Sequence, residues 1–389
     1  MFSKLDPVKN EWMLTGSFKK RGYDWWWHSF TAHHAETGEE KPFFIEYFTV
    51  NPALGGKEPV LGQLPENQKA GKKPSYLMVK AGCWGENAHQ VHRFFGWDDV
   101  KIHGTAPFSV EADDCYCSDK EMRGRVSVTP EEAEAHPELL CEAGTIEWDL
   151  KLDKQIAWNV GYGTSRILRA IKAFQMYWHA EGMKTKLSGT VKLDGETYIV
   201  EPETSFGYSD KNWGRGFTSP WIWLSSCDLV SNITGRKLEN SAFDVGGGRP
   251  KIYFVALDKI LLGGFCYEGE CYEFNFSKLW TLCKTKFDCE ETDEEIIWHI
   301  AQETRTAAIE YDIRCFKKDM LFIKYEDPDG KKRHNRLWNG GNGTGRIKLY
   351  KKQGGKKVLV DDVTARHIGC EYGEYGHYNE AGNYIIERP

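Results

Sequence analysis

Along this chain apolar residues fall at alternate positions in one segment after another, and that alternation predicts β-strands. Residues 43–50, Phe-Phe-Ile-Glu-Tyr-Phe-Thr-Val, are β-branched and aromatic enough for a strand, and residues 76–81 predict another. Within 145–152, Ile146, Trp148, Leu150 and Leu152 share one face. The second half is strand-like almost throughout, over 252–257, 271–276, 296–302, 307–314, 320–325, 345–350 and 357–363. Asp327-Pro328-Asp329-Gly330 predicts a hairpin turn within that series. Helical spacing is scarce. Ile167, Leu168, Ile171 and Phe174 predict one amphipathic helix over 164–174, and the acidic stretch 127–143, with Pro130 in a first turn and Gly144 as a stop, predicts a short solvated one. Residues 51–75, rich in Gly, Lys and Pro, read as a long surface connection.

Tyr23-Asp24-Trp25-Trp26-Trp27-His28-Ser29 sharpens this picture. On a strand, Trp25 and Trp27 point one way and Trp26 the other, so both faces of the segment must meet apolar matter. The spacing recurs. Trp25-x-Trp27-x-Ser29 runs to Thr37-Gly38 and then 43–50, while Trp221-x-Trp223-x-Ser225 runs to Thr234-Gly235 and then Ala242-Phe243-Asp244-Val245. A duplicated β-unit accounts for the echo and predicts an all-β, mostly antiparallel chain of two barrels or sandwiches, 1–195 and 196–389, meeting near 185–205. Too few helices are present for βαβ units.

Composition narrows the function classes. At 389 residues two domains are expected, and no apolar run is long enough to span a bilayer. A net charge of -6 argues against a nucleic-acid partner. Residues 1–7 hold no apolar core of a signal peptide, so a cytoplasmic location is expected. The eleven cysteines read as reduced and mostly buried, and none makes the paired Cys-x2-Cys knuckles of structural zinc. His89-x-x-His92 with His103 is the most metal-like grouping, yet the expectation is no metal. The glycine runs at 246–248 and 340–345 fit neither dinucleotide nor phosphate-loop spacing and read as turns or close-packed backbone. No cofactor is expected.

The candidate chemistry gathers just past the midpoint, in Gly207-Tyr208-Ser209-Asp210-Lys211-Asn212-Trp213-Gly214 and Pro220-Trp221-Ile222-Trp223. A carboxylate, an ammonium, a carboxamide, a phenol and three indoles sit beside a Trp-x-Trp strand, as at the mouth of a ligand site. Asp210-Lys211-Asn212-Trp213-Gly214, Phe217 and Trp221-Ile222-Trp223 resemble the acidic-Lys-Asn-Trp-Gly, Phe, Trp-x-Trp segment of the tocopherol cyclase family. Val50-Asn51-Pro52-Ala53, Gly246-Gly247-Gly248, Cys271-Tyr272-Glu273-Phe274 and Lys348-Leu349-Tyr350 fall where that family has comparable elements, although Asp210 stands where plant members carry Glu.

That resemblance implies a pair of lipocalin-like β-barrels, analogous to carotenoid hydratases, acting on lipophilic unsaturated molecules by adding O–H across C=C. Such chemistry needs a proton donor and a folded substrate held against it. Asp210 is the candidate acid, with Lys211 and Tyr208 beside it; Lys211 is equally placed to pin Asp210 as a carboxylate. Asn212, Trp213, Trp221, Trp223, Trp25, Trp27 and Glu46 are the candidate substrate-binding residues, and His28, His92 and His179 the reserve acids. The expected function is a cofactor-independent cyclase, an intramolecular lyase, for a lipophilic or polyphenolic small molecule; a hydratase and a non-catalytic carrier are the alternatives.

Overall fold

The computed structural model describes residues 2–3, 10–51, 69–70, 75–105, 107–160, 170–218, 220–253, 255–257, 260–326, 328, 332–373, 376–378 and 384–386, with backbone alone at 2–3, 138, 256, 324, 326, 332–336, 376–378 and 384–386. Strands dominate. The first half supplies β1 (Tyr23–His34), β2 (Glu40–Val50), β3 (Tyr76–Cys83), β4 (His89–Gly96), β5 (Lys101–His103), β6 (Ser109–Ala112), β7 (Cys115–Ser118) and β8 (Glu121–Val128). After the helix α1 (Pro130–Ala135) come β9 (Gly144–Trp158), β10 (Met176–Leu193), β11 (Glu196–Val200) and β12 (Gly207–Gly214). Thr129 and Glu132 close a capping box on α1, which makes so short a helix stable enough to form.

The second half supplies β13 (Trp221–Ser226), β14 (Asp228–Ser231), β15 (Ala242–Gly248), β16 (Ile260–Tyr267), β17 (Glu270–Phe274), β18 (Lys284–Glu291), β19 (Glu295–Glu303), β20 (Ala307–Phe316), β21 (Met320–Glu326), β22 (Lys332–Gln353) and β23 (Lys356–Gly373). These make two large antiparallel sheets of 13 and 11 strands. The first runs β4-β3-β2-β1-β11-β10-β9-β8-β7-β6-β5, with β12 bridging β1 and β10. The second runs β17-β16-β15-β13-β23-β22-β20-β19-β18. The chain passes from one sheet to the other between Gly214 and Trp221, so β11 and β12 belong with the first sheet although they lie beyond residue 195. The architecture is all-β, its antiparallel sheets forming a barrel and a half-barrel where a pair of barrels was expected.

Each sheet curls around its own apolar core. Trp26, Tyr47, Val79 and Trp148 lie within the first, and Phe243, Trp298, Tyr311 and Leu349 within the second. A third body forms between them, where Trp27, Phe44, Trp84, Trp178 and Tyr208 meet Trp223, Cys266, Ile323 and Tyr325. Glycine permits this seam. A Cβ on Gly341 would sit 2.4 Å from the Trp84 ring, and one on Gly369 would sit 2.4 Å from Trp223. The 340–345 run thus lies inside β22 as close-packed backbone, not as a turn. The 252–257 segment, expected as one strand, is instead a two-residue ladder of Lys251–Ile252 with Val255–Ala256 around Tyr253, whose φ of 54° turns the chain. Residues 164–169 of the expected amphipathic helix, the 52–68 connection and three residues of the 327–330 turn lie outside the described residues.

Charge is buried inside the first barrel as well. The Lys211 ammonium is bonded to the Asp24 carboxylate, both without solvent exposure, and lies 4.3 Å from the centre of the Trp26 ring. Lys154 pairs with Glu181 at 2.9 Å, and His28 Nδ1 meets Ser209 Oγ at 2.9 Å. Removing one partner of a buried pair strands the other charge in a medium that cannot solvate it. Lys211→Ala is therefore expected to cost roughly 3 to 5 kcal/mol in denaturant unfolding, with Asp24→Leu/Lys211→Met recovering much of the loss. A single-variant loss below about 1 kcal/mol, the size of an exposed pair, would refute the pair's buried role.

Candidate functional site

Strand parity decides which candidates meet. On β12, Tyr208, Asp210 and Asn212 face the seam between the sheets, while Lys211 and Trp213 face the other way. Trp213 stacks on Tyr177, with centroids 5.6 Å apart, and Lys211 is held by Asp24. Lys211 therefore neither pins Asp210 nor shares its pocket. On β1 the same rule sends Trp25 and Trp27 to the seam and Trp26 into the barrel.

The pocket this creates is lined by Trp25, Trp27, Asp210, Asn212, Trp221, Trp223, Tyr325 and Glu371. Six of the eight come from the sequence-derived set. Tyr208 lies deeper and donates its hydroxyl to Asp244 at 2.9 Å; Trp223 Nε1 donates to the other oxygen of that carboxyl at 2.9 Å. Glu46 sits two strands from Asp210 in the same cross-sheet row, Glu46 opposite Trp27 and Trp27 opposite Asp210, and pairs with buried Lys80 at 3.7 Å. Of the histidines, His28 and His179 are buried in the first sheet, His92 stands opposite Lys80, His89 pairs with Glu142 at 3.2 Å, and His103 is exposed. Among the described residues no cluster of His, Cys, Asp and Glu has the makings of a metal site.

Sequence reasoning missed Glu371 and Tyr325 in the pocket wall, and Trp178 and Asp244, which hydrogen-bond to candidate residues around it. Glu371 had a visible signal, a carboxylate within an apolar strand, the same signal that singled out Glu46. Its place repeats that of Asp210 across the seam: Asp210 lies opposite Trp27 on the neighbouring strand, and Glu371 lies opposite Trp223. The two echoed Trp-x-Trp strands thus each bring a carboxyl to the same cavity.

Indole N–H groups hold both acids. Trp178 Nε1 donates to Asp210 Oδ2 at 2.8 Å, leaving buried Oδ1 without a hydrogen-bond partner. Glu371 is fully engaged, with Trp221 Nε1 on Oε2 at 2.7 Å and Asn339 Nδ2 on Oε1 at 2.8 Å. Trp178 and Trp221 meet edge to face, 6.3 Å apart, and also line a second, apolar cleft with Phe174, Met176, Leu262 and Phe276. The same two side chains therefore turn their N–H groups to the acids and their rings to an apolar cleft.

Burial pushes the Asp210 carboxyl well above the usual carboxylate range, the charge of Glu371 adds to the rise, and the Trp178 N–H opposes it. Burial lifts Glu371 to about 7 against the Trp221 and Asn339 donors, and lifts Glu46 to about 7 against Lys80. Asp244 is raised by burial and then by Asp210. A carboxyl with a raised folded-state pKa binds more protons folded than unfolded, so its stabilisation is complete below the unfolded value and is lost as pH rises through the folded one. The melting temperature is accordingly expected to fall between about pH 5 and pH 8, and to fall less in Asp210→Asn. A melting temperature that climbs across this window would contradict the protonated seam.

The tocopherol cyclase-like family model matches residues 106–374. A protein of Oryza sativa subsp. japonica named as a chloroplastic tocopherol cyclase is 35% identical over 115 residues, 28% of this chain and 22% of that protein. The chloroplastic tocopherol cyclase of Zea mays is 30% identical over 137 residues, 33% of this chain and 27% of that one. The chain thus matches about a quarter of the length of these relatives. Among solved structures, an AttH candidate from Nitrosomonas europaea superposes with a TM-score of 0.50 at 12% identity, covering 96% of this chain and 97% of that one, and shares the fold. Kievitone hydratase from Nectria haematococca aligns with a TM-score of 0.43 at 11% identity, over 95% and 96% of the two chains. With the family model matched over more than half of its length, and with the central motif on the strand that builds the pocket, the chain belongs to the tocopherol cyclase-like family.

Proposed function

We propose that this chain is a cofactor-independent cyclase, which adds an O–H across a C=C within a lipophilic or polyphenolic substrate by proton transfer from Asp210. The observation that carries the reading is the unpartnered, buried Oδ1 of Asp210 at a pocket walled by indoles. Protonated, that oxygen donates to an alkene carbon: the Asp210 O–H bond breaks and a C–H bond forms. The positive charge left on carbon lies among the rings of Trp25, Trp27 and Trp223, each worth about 0.5 to 2 kcal/mol to a cation. The substrate hydroxyl then closes the C–O bond, and its proton passes to Glu371.

The hydrogen bonds support this division of roles. Two donors within hydrogen-bond distance on Glu371 favour its carboxylate, whereas Asp210 has one at that distance, Trp178, and the more distant Trp25 indole as a weaker second. A proton returned from Glu371 to Asp210 resets the pair, so an isomerisation leaves the protein unchanged. Water in place of the substrate hydroxyl makes the same pair a hydratase. A carrier needs only apolar walls and leaves the free acid without a role.

Prenylated quinols, chalcones and carotenoids, scored by mass spectrometry for mass-neutral or water-adding products, are the test panel. Asp210→Asn is expected to lose about 100-fold to 10,000-fold in turnover while remaining folded. Because the base must be ionised and the acid protonated, the rate should rise with pH through about 7 and decline at higher pH; Glu371→Gln should abolish the rising limb. A fully active Asp210→Asn variant would end the reading.

A further inference from the structure

Six large apolar side chains that face solvent lie on the three stretches that help to build the apolar cleft. Ile171, Tyr253, Val255, Leu279, Trp280 and Leu282 are 49% to 80% exposed, and they are six of the ten described large hydrophobics that stand out from the surface. Their three stretches also build the cleft, through Phe174, Pro250, Phe276 and Ser277. The stretches are tied to one another. Tyr253 donates its N–H to Ala173 O and its hydroxyl to Ile171 O, both at 2.9 Å; Phe174 bridges to Ile252; and the Phe174 and Phe276 rings lie 6.5 Å apart.

Exposing a Trp between two Leu costs solvation that a lone surface apolar residue does not, and a grouping of this kind along the chain marks a partner. Charge selects among partners. Residues 170–174, 249–257 and 276–284 carry Lys172, Arg249, Lys251, Lys278 and Lys284 and no Asp or Glu of their own, although the whole chain has a net charge of -6; Lys278 is bonded to Glu273 and Lys284 lies opposite Glu303. Arg215 adds a guanidinium 5.8 Å from the Tyr253 ring. Cations ringing exposed Trp, Tyr and Leu match the two layers of an anionic bilayer surface, phosphate outside and acyl chain within. A second copy of the chain would bring like charge against like.

We infer that this rim docks on an anionic lipid bilayer, seating Leu279, Trp280 and Leu282 among the acyl chains and opening the apolar cleft directly to the membrane. Among the described residues no helix is long and apolar enough to span a bilayer, so attachment of this kind is peripheral. The cleft then receives a lipophilic molecule without passage through water. Docking stands apart from the acid chemistry, because it is read without turnover.

The test is co-sedimentation of the full chain with vesicles of phosphatidylcholine alone and of phosphatidylcholine with about a quarter phosphatidylserine, followed also by Trp fluorescence. Binding to the mixed vesicles, weakened by added salt, is expected. Leu279→Ser/Trp280→Ser/Leu282→Ser should lower partition roughly tenfold to a hundredfold. Lys251→Glu/Lys284→Glu should lower it on the anionic vesicles only, and Asp210→Asn should bind as wild type. Failure of the folded wild-type chain to bind either vesicle would overturn the inference, as would undiminished binding by the triple serine variant. A dimer in sedimentation velocity that the triple variant dissolves would assign the patch to a second copy instead.

Discussion

Four carboxyls in one aromatic seam, with Lys80 as the ammonium set against them, form the constraint on which the rest of this structure turns. Asp210, Asp244, Glu46 and Glu371 come from four different strands. Like charges a few ångströms apart in a medium of low dielectric cannot all ionise. The fold answers with protons and with donors: indole N–H groups of Trp178, Trp221 and Trp223, the Tyr208 hydroxyl and the Asn339 amide each meet one of these oxygens. The tryptophans are thus not filler. Each contributes ring area to the seam and a hydrogen bond to an acid, which is why indole rather than phenyl occupies those positions.

The same constraint explains why β12 carries so dense a mixture of polar groups. Its two faces belong to different environments, each buried, and each charge needs a partner on its own side. Lys211 finds Asp24 inside the barrel, while Asp210 finds Trp178 in the seam. One strand therefore holds an ion pair and a carboxyl raised by burial on adjacent residues, insulated from one another by the sheet itself. Burial raises Asp24 to about 6 even with Lys211 attached, a measure of how little the interior does for charge.

Much of this was legible in the sequence. Alternation located the strands over 43–50, 296–302 and 307–314, and the Trp-x-Trp echo located the two strands that flank the pocket. Alternation also held the answer for Lys211 and Trp213, since odd and even positions of 207–214 must part company. Other features depend on register between distant strands. Nothing local to residues 369–373 announces that Glu371 will lie opposite Trp223, and the sharing of β12 between β1 and β10 is a fact of closure that no window of sequence contains. The 252–257 segment was misjudged because its β-branched and aromatic residues suit a strand, whereas Tyr253 takes a left-handed turn and the chain folds back on itself.

The placement of the pocket between the sheets, instead of within either barrel, follows from how the barrels are filled. Trp26, Trp148 and Phe108 crowd the first interior, and Trp298, Tyr311 and Phe243 the second. Large side chains of this kind fill a barrel core at close packing. The seam differs in being built from two surfaces that carry the same pattern, a Trp-x-Trp strand with a carboxyl on its neighbour, and their apposition brings two acids together. Duplication by itself would give equal acids and no direction for a proton. The direction comes from what differs between the halves: Asn339 stands beside Glu371, and Glu371 therefore holds two donors within hydrogen-bond distance where Asp210 holds one. In the mechanism proposed above, that small asymmetry in hydrogen bonding is what separates the proton donor from the acceptor.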